Sequence, residues 1–321
     1  MRPARTSLAA ACTLRVTPLD TPLFERGELV SGVYEIRGLL GGGGMAQVYE
    51  AHDHALNRRV ALKAARPGLD PSLLRREGQG IAAVRHPGVV SVHGLGEHRG
   101  IHYLVMERLQ GITLESHLEA RHGEGELLTI AEVLGLATPL ADVLAAVHAA
   151  GIAHRDVKSA NVVLAMGDRV VLTDFGIVVP ERTVTPNAPL VGTVEYMAPE
   201  TISATTSPGN AFLVDLYAFG VLLFELVAGH RPFDGATPRE TLARHMRDPV
   251  PSLAGLRDDV PPLLDGLVRE LLAKDPYDRP QSMESVVARM RLPSMRSMTA
   301  TRSAPPGSTY ITLPPPMPRR R

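Results

Sequence analysis

The apolar periodicity of the chain changes once, near residue 110, and that change constrains the fold more than any other feature. Before it come strand-like runs: Tyr34-Glu35-Ile36-Arg37 leading into Leu39-Leu40, then Gln47 to Ala51, Arg59 to Lys63, Val89 to Val92 and His102 to Met106. One helix interrupts them, because Asp70-Pro71 supplies an N-cap and a first-turn proline ahead of Leu73, Leu74, Glu77, Ile81 and Val84. After it, helical patterns cover Ile130 to Ala150, Leu213 to Val227, Pro262 to Ala273 and Ser282 to Met290. Strands followed by helices predict an α+β fold of two lobes.

Composition narrows the function classes. With 44% hydrophobic and 21% charged residues in 321, the chain is not wholly disordered, collagen-like or multi-spanning. Its 34 basic and 34 acidic side chains balance, which gives no reason to expect nucleic-acid binding. The single cysteine, Cys12, cannot close an internal disulfide. Near the N-terminus, Leu8 to Leu14 is too short for a secretory leader and is closed by Arg15. The most apolar run, Leu213 to Ala228, contains Asp215 and Glu225, each costly at a bilayer centre, so it reads as a core helix. No transmembrane segment is expected, and the chain reads as soluble and cytoplasmic. Residues 1–29 read as a flexible extension. Residues 292–321, rich in Pro, Ser, Thr and Arg without an acidic residue, read as a disordered tail, with docking or a membrane-surface role as the alternative.

Only three of the 34 basic residues are lysines: Lys63, Lys158 and Lys274. In a chain so biased toward arginine, a retained lysine is a candidate for a site that needs a compact ammonium. Four glycines, Gly41 to Gly44, followed by Met45-Ala46, lie between two strand patterns and make a hairpin turn. Glycines there let backbone amides approach a polyanion closely, although a merely flexible turn explains them equally well. A dinucleotide-binding turn requires a helix straight after the glycines, and Val48 with Tyr49 argues against one. Lys63, one strand further on, could reach phosphates under that turn. Its candidate partner is Glu77, on the helix face shared with Leu73 and Ile81.

The segment His154-Arg155-Asp156-Val157-Lys158-Ser159-Ala160-Asn161 is a loop ahead of the strand Val162-Val163-Leu164. A carboxylate, an ammonium and an amide within six residues suit phosphoryl transfer. Asp156 can orient a hydroxyl nucleophile and accept its proton, Lys158 can neutralise the γ-phosphate, and Asn161 can ligate a divalent metal. Asp174-Phe175-Gly176 then adds a second metal carboxylate followed by a flexible glycine.

With these motifs the chain resembles the bacterial eukaryotic-like (Hanks-type) serine/threonine protein kinases. Three further segments carry the resemblance: Gly192-Thr193-Val194-Glu195-Tyr196-Met197-Ala198-Pro199-Glu200, Asp215-Leu216-Tyr217-Ala218-Phe219-Gly220 and Asp275-Pro276-Tyr277-Asp278-Arg279-Pro280. It implies a bilobal kinase domain over residues 30–291, with an N-lobe at about 33–106 and a C-lobe at about 110–291. ATP would lie between the lobes, with Leu40, Val48 and Ala61 above the adenine and Val163 below. Met106 would be the gatekeeper, and the Glu107 carbonyl and Leu109 amide the hinge partners. Lys63 and Glu77 would hold the α- and β-phosphates under the Gly41–Ala46 flap, and Asn161 and Asp174 would hold Mg²⁺, with Mn²⁺ as an alternative.

The resemblance also implies that Asp215 ties down the catalytic loop and that Glu200 pairs with Arg279. Lys158 and Thr193 favour serine/threonine specificity over tyrosine. Arg155 implies switching by activation-loop phosphorylation, with Thr183 and Thr185 as the acceptors, and autophosphorylation in bacterial signalling. Lys274 has no family role and is expected at the surface.

Two departures stand out. Ala46 occupies a position where the family often has a third glycine, a modest weakening of the flap. Gly78 and Gly80 fall inside the Glu77 helix, each costing about 1 kcal/mol relative to alanine, which suggests support from a partner or a kinase homodimer. Protein substrates are the expected partners. The alternatives are a pseudokinase acting as a nucleotide-binding scaffold, a small-molecule phosphotransferase of related fold, and a metal role for His52 and His54. The first conflicts with retention of Lys63, Glu77, Asp156, Asn161 and Asp174, the second with the peptide-surface segments, and the third with the lack of a ligand set.

Overall fold

The computed structural model describes residues 21–175, 194–207 and 209–295. Its first part is a six-stranded antiparallel sheet: β1 (Leu29–Val30), β2 (Tyr34–Gly42), β3 (Ala46–Asp53), β4 (Arg58–Ala65), β5 (Val92–His98) and β6 (Ile101–Glu107), ordered β1-β2-β3-β4-β6-β5. The helix α1 (Pro71–Ala83) lies between β4 and β5 in sequence and starts as its residues dictate. Asp70 accepts from the Ser72 amide at 2.8 Å, and Pro71 occupies the first turn.

Alternation along β4 sorts its side chains between two cores. Val60, Leu62 and Ala64 enter an outer cluster with Ile36, Tyr49 and Val105, whereas Ala61 belongs to the cluster continuous with the rest of the molecule. By the same period Lys63 shares the face of Ala61, toward the space between the lobes.

The second part is helical, with a three-stranded sheet of β7 (Gly111–Thr113), β8 (Val162–Ala165) and β9 (Arg169–Leu172) at the junction. Its helices are α2 (Leu114–Gly123), α3 (Ile130–Ala149), α4 (Pro199–Ile202), α5 (Ala211–Ala228), α6 (Pro238–Arg247), α7 (Pro262–Leu271) and α8 (Met283–Met290). The expected α+β, two-lobed architecture is what the chain forms. Helix α3 opens on a capping box between Thr129 and Glu132. Both α3 and α5 are long and apolar enough to cross a membrane, but α5 is buried nearly throughout and is the central helix of the core.

Four expectations need correction. Residues 21–29 are not a loose extension: Phe24 is 1% exposed and packs on Tyr49 and Tyr103, while β1 pairs with β2. The tail begins later than residue 292, because Met295 is buried against the helical core. The strand expected at Val89 to Val92 instead begins at Val92, where Gly94 and Gly96 interrupt the apolar alternation that marks the other strands. Val89 turns inward and bridges to Leu172. Lastly, Gly78 has a cause within the chain. A Cβ there would lie 2.8 Å from Leu104 Cδ1, so the glycine lets α1 approach the sheet.

Candidate active site

Lys63 is the meeting point of the two lobes. Its Nζ donates to Glu77 Oε1 of α1 at 2.6 Å and to Asp174 Oδ1 at 2.7 Å. Burial disfavours the ammonium, but the Asp174 and Glu77 carboxylates more than offset this and hold it above the usual lysine range. Lys63 in turn holds Asp174 below the usual carboxylate range. Glu77, buried more deeply, is pushed up by desolvation against the pull of the same lysine. Asp174 sits at φ 56°, a left-handed conformation that turns its carboxylate toward Lys63 while Phe175 packs beside the His154 ring.

The loop expected to carry catalysis is held from below by α5. Asp215, fully buried, accepts the amides of His154 and Arg155 at 2.7 Å each and bonds His148 Nε2 at 2.8 Å. Arg155 is thereby kept at φ 65°, with its side chain exposed. Burial pushes His154 below the usual histidine range, and its Nε2 lies 3.1 Å from the Thr173 carbonyl. Above this base, Lys158 Nζ lies 2.8 Å from Asp156 Oδ2, and the Asn161 side-chain amide donates to the same oxygen at 2.8 Å. Thr173 donates from its amide and its hydroxyl to the Asn161 carbonyl at 2.9 and 3.1 Å, so Asn161 and Asp174 are brought together by the residue between them.

These donors suit a divalent cation. Because the Asn161 nitrogen is spent on Asp156, its amide oxygen is the atom left to ligate, and Asp174 is 44% exposed. Two oxygens completed by phosphate and water fit Mg²⁺ better than an all-protein cage. Among the described residues no group of three His, Cys, Asp or Glu is placed to hold a metal; the His52 and His54 rings pack against each other, and His54 Nε2 lies 2.9 Å from Glu35.

The glycine turn is a hairpin between β2 and β3, closed by Gly43 N–H donating to the Ala46 carbonyl at 2.9 Å. Space beside Gly41 and Gly43 is open, room that a side chain would take. Gly42 is tighter, with Gln47 beside it, and Met45 is exposed at the tip. Ala61 and Met106 belong to the inner core, and Leu40, Val48, Leu109 and Val163 pack against it; Ala61 pairs with Met106 and Val48 with Lys63 across the strands. Glu107 ends β6 at the junction. Thr183, Thr185, Thr193, Gly176 and the rest of the expected activation loop lie outside the described residues.

The second expected support is present as a bidentate pair. Arg279 donates to both Glu200 oxygens at 2.7 and 2.8 Å, with side chains 0% and 3% exposed. The surface position expected for Lys274 is wrong. Its Nζ is buried without a hydrogen-bond acceptor among the described residues, 3.8 Å from the Phe233 ring centroid, and burial pulls it down to about 8. A buried chain that no single motif announces also runs from Ser159 through the Tyr196 hydroxyl to Glu225. Only the polar identity of Glu225 inside an apolar helix hinted at it.

Comparison with known proteins agrees with this geometry. The protein kinase domain profile matches residues 34–289. The serine/threonine-protein kinase PrkC of Bacillus subtilis is 34% identical over 269 residues, covering 82% of this chain and 40% of PrkC. The serine/threonine-protein kinase PknA of Mycobacterium tuberculosis is 35% identical over 297 residues, covering 88% of this chain and 66% of PknA. The chain thus spans less than half the length of one of these relatives and about two thirds of the other. The crystal structure of the Mycobacterium tuberculosis PknI kinase domain superposes with a TM-score of 0.65 at 30% identity, covering 83% of this chain and 98% of that one. A β-rich lobe that delivers Lys63 and Glu77, a helical lobe that delivers Asp156, Asn161 and Asp174, and a profile match across both place the chain in the protein kinase domain family.

Proposed function

We propose that the chain is a serine/threonine protein kinase that transfers the γ-phosphate of ATP to protein hydroxyls and phosphorylates its own activation loop in bacterial signalling. The observation that carries the reading is the Lys63 ammonium held between Glu77 and Asp174 while Asp156, Lys158 and Asn161 share one set of contacts. Both halves of a phosphoryl-transfer site are then preorganised before substrate arrives.

In this reading the adenine lies between Leu40, Val48 and Ala61 on one side and Val163 on the other. Met106 is its gatekeeper, and the Glu107 carbonyl and Leu109 amide are its polar partners. Backbone amides of the Gly41–Ala46 turn cover the phosphates, and Lys63 pairs with the α- and β-phosphates. Asn161 and Asp174 would hold Mg²⁺, which neutralises charge on the phosphates when bound. Asp156 accepts the proton of the attacking serine or threonine hydroxyl, and Lys158 neutralises charge that develops on the transferred phosphoryl group. Because Lys158 already contacts Asp156, the base and the cation stay in register.

Arg155 gives the switch its receptor. Its guanidinium is exposed, on a backbone locked by Asp215, and phosphate on Thr183 or Thr185 would add a charge it can pair with. Thr193 and Lys158 support hydroxyl acceptors of the serine/threonine type. The need for ATP assigns the domain to the cytoplasm. A kinase homodimer remains a candidate partner, although the packing of Gly78 removes one reason to require it. Against a scaffold that binds nucleotide without turnover stands the retention of all five polar site residues, Lys63 in contact with Glu77 and Asp174, and Asp156 with Asn161.

The test is transfer of label from γ-labelled ATP with Mg²⁺ to a general protein acceptor, followed by phosphoamino-acid analysis. Label on serine and threonine supports the proposal. Label on tyrosine, or on a small molecule alone, refutes it.

A further inference from the structure

The sequence motifs do not include Arg169, yet its guanidinium joins three separate segments at the lobe junction. Nη1 donates to Glu107 Oε1 at 2.7 Å and Nη2 to Glu107 Oε2 at 3.4 Å, at the end of β6. Nε and Nη2 donate to the Pro87 carbonyl at 3.1 and 2.8 Å, on the connection from α1 to β5. Arg169 itself begins β9, which ends at Leu172, two residues before Asp174. The pair is about one-third exposed on the arginine side and one-quarter on the glutamate side. Glu107 is held below the usual carboxylate range by the hydrogen bonds from Arg169.

Backbone bonds reinforce the same junction. Leu172 N–H donates to the Gly88 carbonyl at 2.8 Å, and Glu107 N–H donates to the Ser91 carbonyl at 2.8 Å. Segment 88–91 is therefore bonded on one side to the strand that leads to Asp174 and on the other to the end of β6. What the backbone does not supply is a direct link between Glu107 and β9. Among the described residues, the Arg169 side chain makes it.

We infer that Arg169 is a positioning residue that sets the register between the adenine end and the phosphate end of the nucleotide cleft. The inference rests on the ATP site proposed above. A single nucleoside triphosphate must satisfy the Glu107–Leu109 segment and the Asp174 end at once, and its flexible phosphate arm loses more freedom when the spacing between them is not held, so that spacing decides how many contacts form together. A guanidinium fork can serve two acceptors in fixed directions, and an ammonium on a flexible stem cannot reproduce that geometry.

A purely structural role would lower stability without distinguishing ligands. Calorimetric binding to the full chain separates the two cases. The probes are adenosine, which touches one end, and the non-hydrolysable analogue AMP-PNP with Mg²⁺, which spans both. In Arg169→Ala, affinity for the Mg²⁺-bound analogue is expected to fall about tenfold while adenosine affinity stays within about twofold. Arg169→Lys should fall between wild type and Arg169→Ala. Glu107→Gln keeps the side-chain shape while removing its charge, and it carries the test if Arg169→Ala does not fold. Equal losses for both ligands, or no loss for either, overturn the inference and leave the nucleotide site standing. Wild-type protein that binds neither ligand overturns both.

Discussion

At the scale of single residues, chemistry at the site is divided between groups that carry charge and groups that hold them. Asp156 is the proposed base, and its contacts with Lys158 and Asn161 fix it without tying it to Lys63 or Glu77. Asp156→Asn should therefore lower kcat by about two to four orders of magnitude while leaving the KM for ATP nearly unchanged. Steady-state kinetics on the purified variant, with circular dichroism as a fold check, would show the split. An equal rise in KM would mean that Asp156 binds nucleotide instead. The scarcity of lysine anticipated two of these positions, because both Lys63 and Lys158 lie against carboxylates at under 3 Å. It misjudged the third. Lys274 is retained over the Phe233 ring, where a compact cation fits without an acceptor.

At the scale of elements, α1 and α6 make opposite demands. Alanine at position 78 would gain about 1 kcal/mol of helix propensity, but its methyl would press on buried Leu104, and overpacking typically costs about 1–3 kcal/mol. Gly78→Ala is therefore expected to leave the urea midpoint unchanged or lower. A stabilisation equal to the propensity gain would show that the helix is not packed as described. In α6, His245 is fully buried between the Tyr217 hydroxyl and the Glu195 carbonyl. Burial pulls it down to about 4. Below its ordinary value the unfolded chain takes up a proton that the folded chain refuses, so stability falls with pH between about 6.5 and 4. The loss across that window is on the order of 3 kcal/mol. Thermal melts should show a shallower pH slope over that window in His245→Gln, whatever its absolute stability. An identical slope would remove His245 from the account.

Elements were legible in the sequence where periodicity was undisturbed, as in β4, α3 and α5. They were obscured where glycine replaced an apolar residue, as at Gly94 and Gly96 of β5. The candidate site was legible because its polar groups are concentrated in short segments around residues 154–161 and 174–176 of the sequence. The contacts that hold it were not. His148 meets Asp215 across 67 residues and Arg169 meets Glu107 across 62, with no local pattern to mark either pair.

At the scale of the whole molecule, two cores share the one sheet. The outer core is closed by the segment before β1, where Phe24 packs on Tyr49 and Tyr103 and the Leu23 and Phe24 amides donate to the Tyr49 hydroxyl. Gln47, at the base of the glycine hairpin, accepts from the Leu23 amide at 2.9 Å, so this segment also braces the flap. Phe24→Ala should cost about 3–5 kcal/mol, read as a lower denaturation midpoint. A cost below 1 kcal/mol would mean that the outer core closes without it. The inner core links the sheet face that carries Lys63 to α5, which carries Asp215, so the two halves of the site rest on one continuous packed body.

The proposed function requires that this body transfer phosphate from ATP to its own threonines. The direct measurement is mass-spectrometric mapping of phosphates after phosphatase-treated protein is incubated with ATP and Mg²⁺, in parallel with Asp156→Asn. Phosphothreonine is expected at Thr183 or Thr185 in the wild type and none in the variant. Measurable ATP binding with no phosphate on either protein would contradict it and favour a nucleotide-binding scaffold.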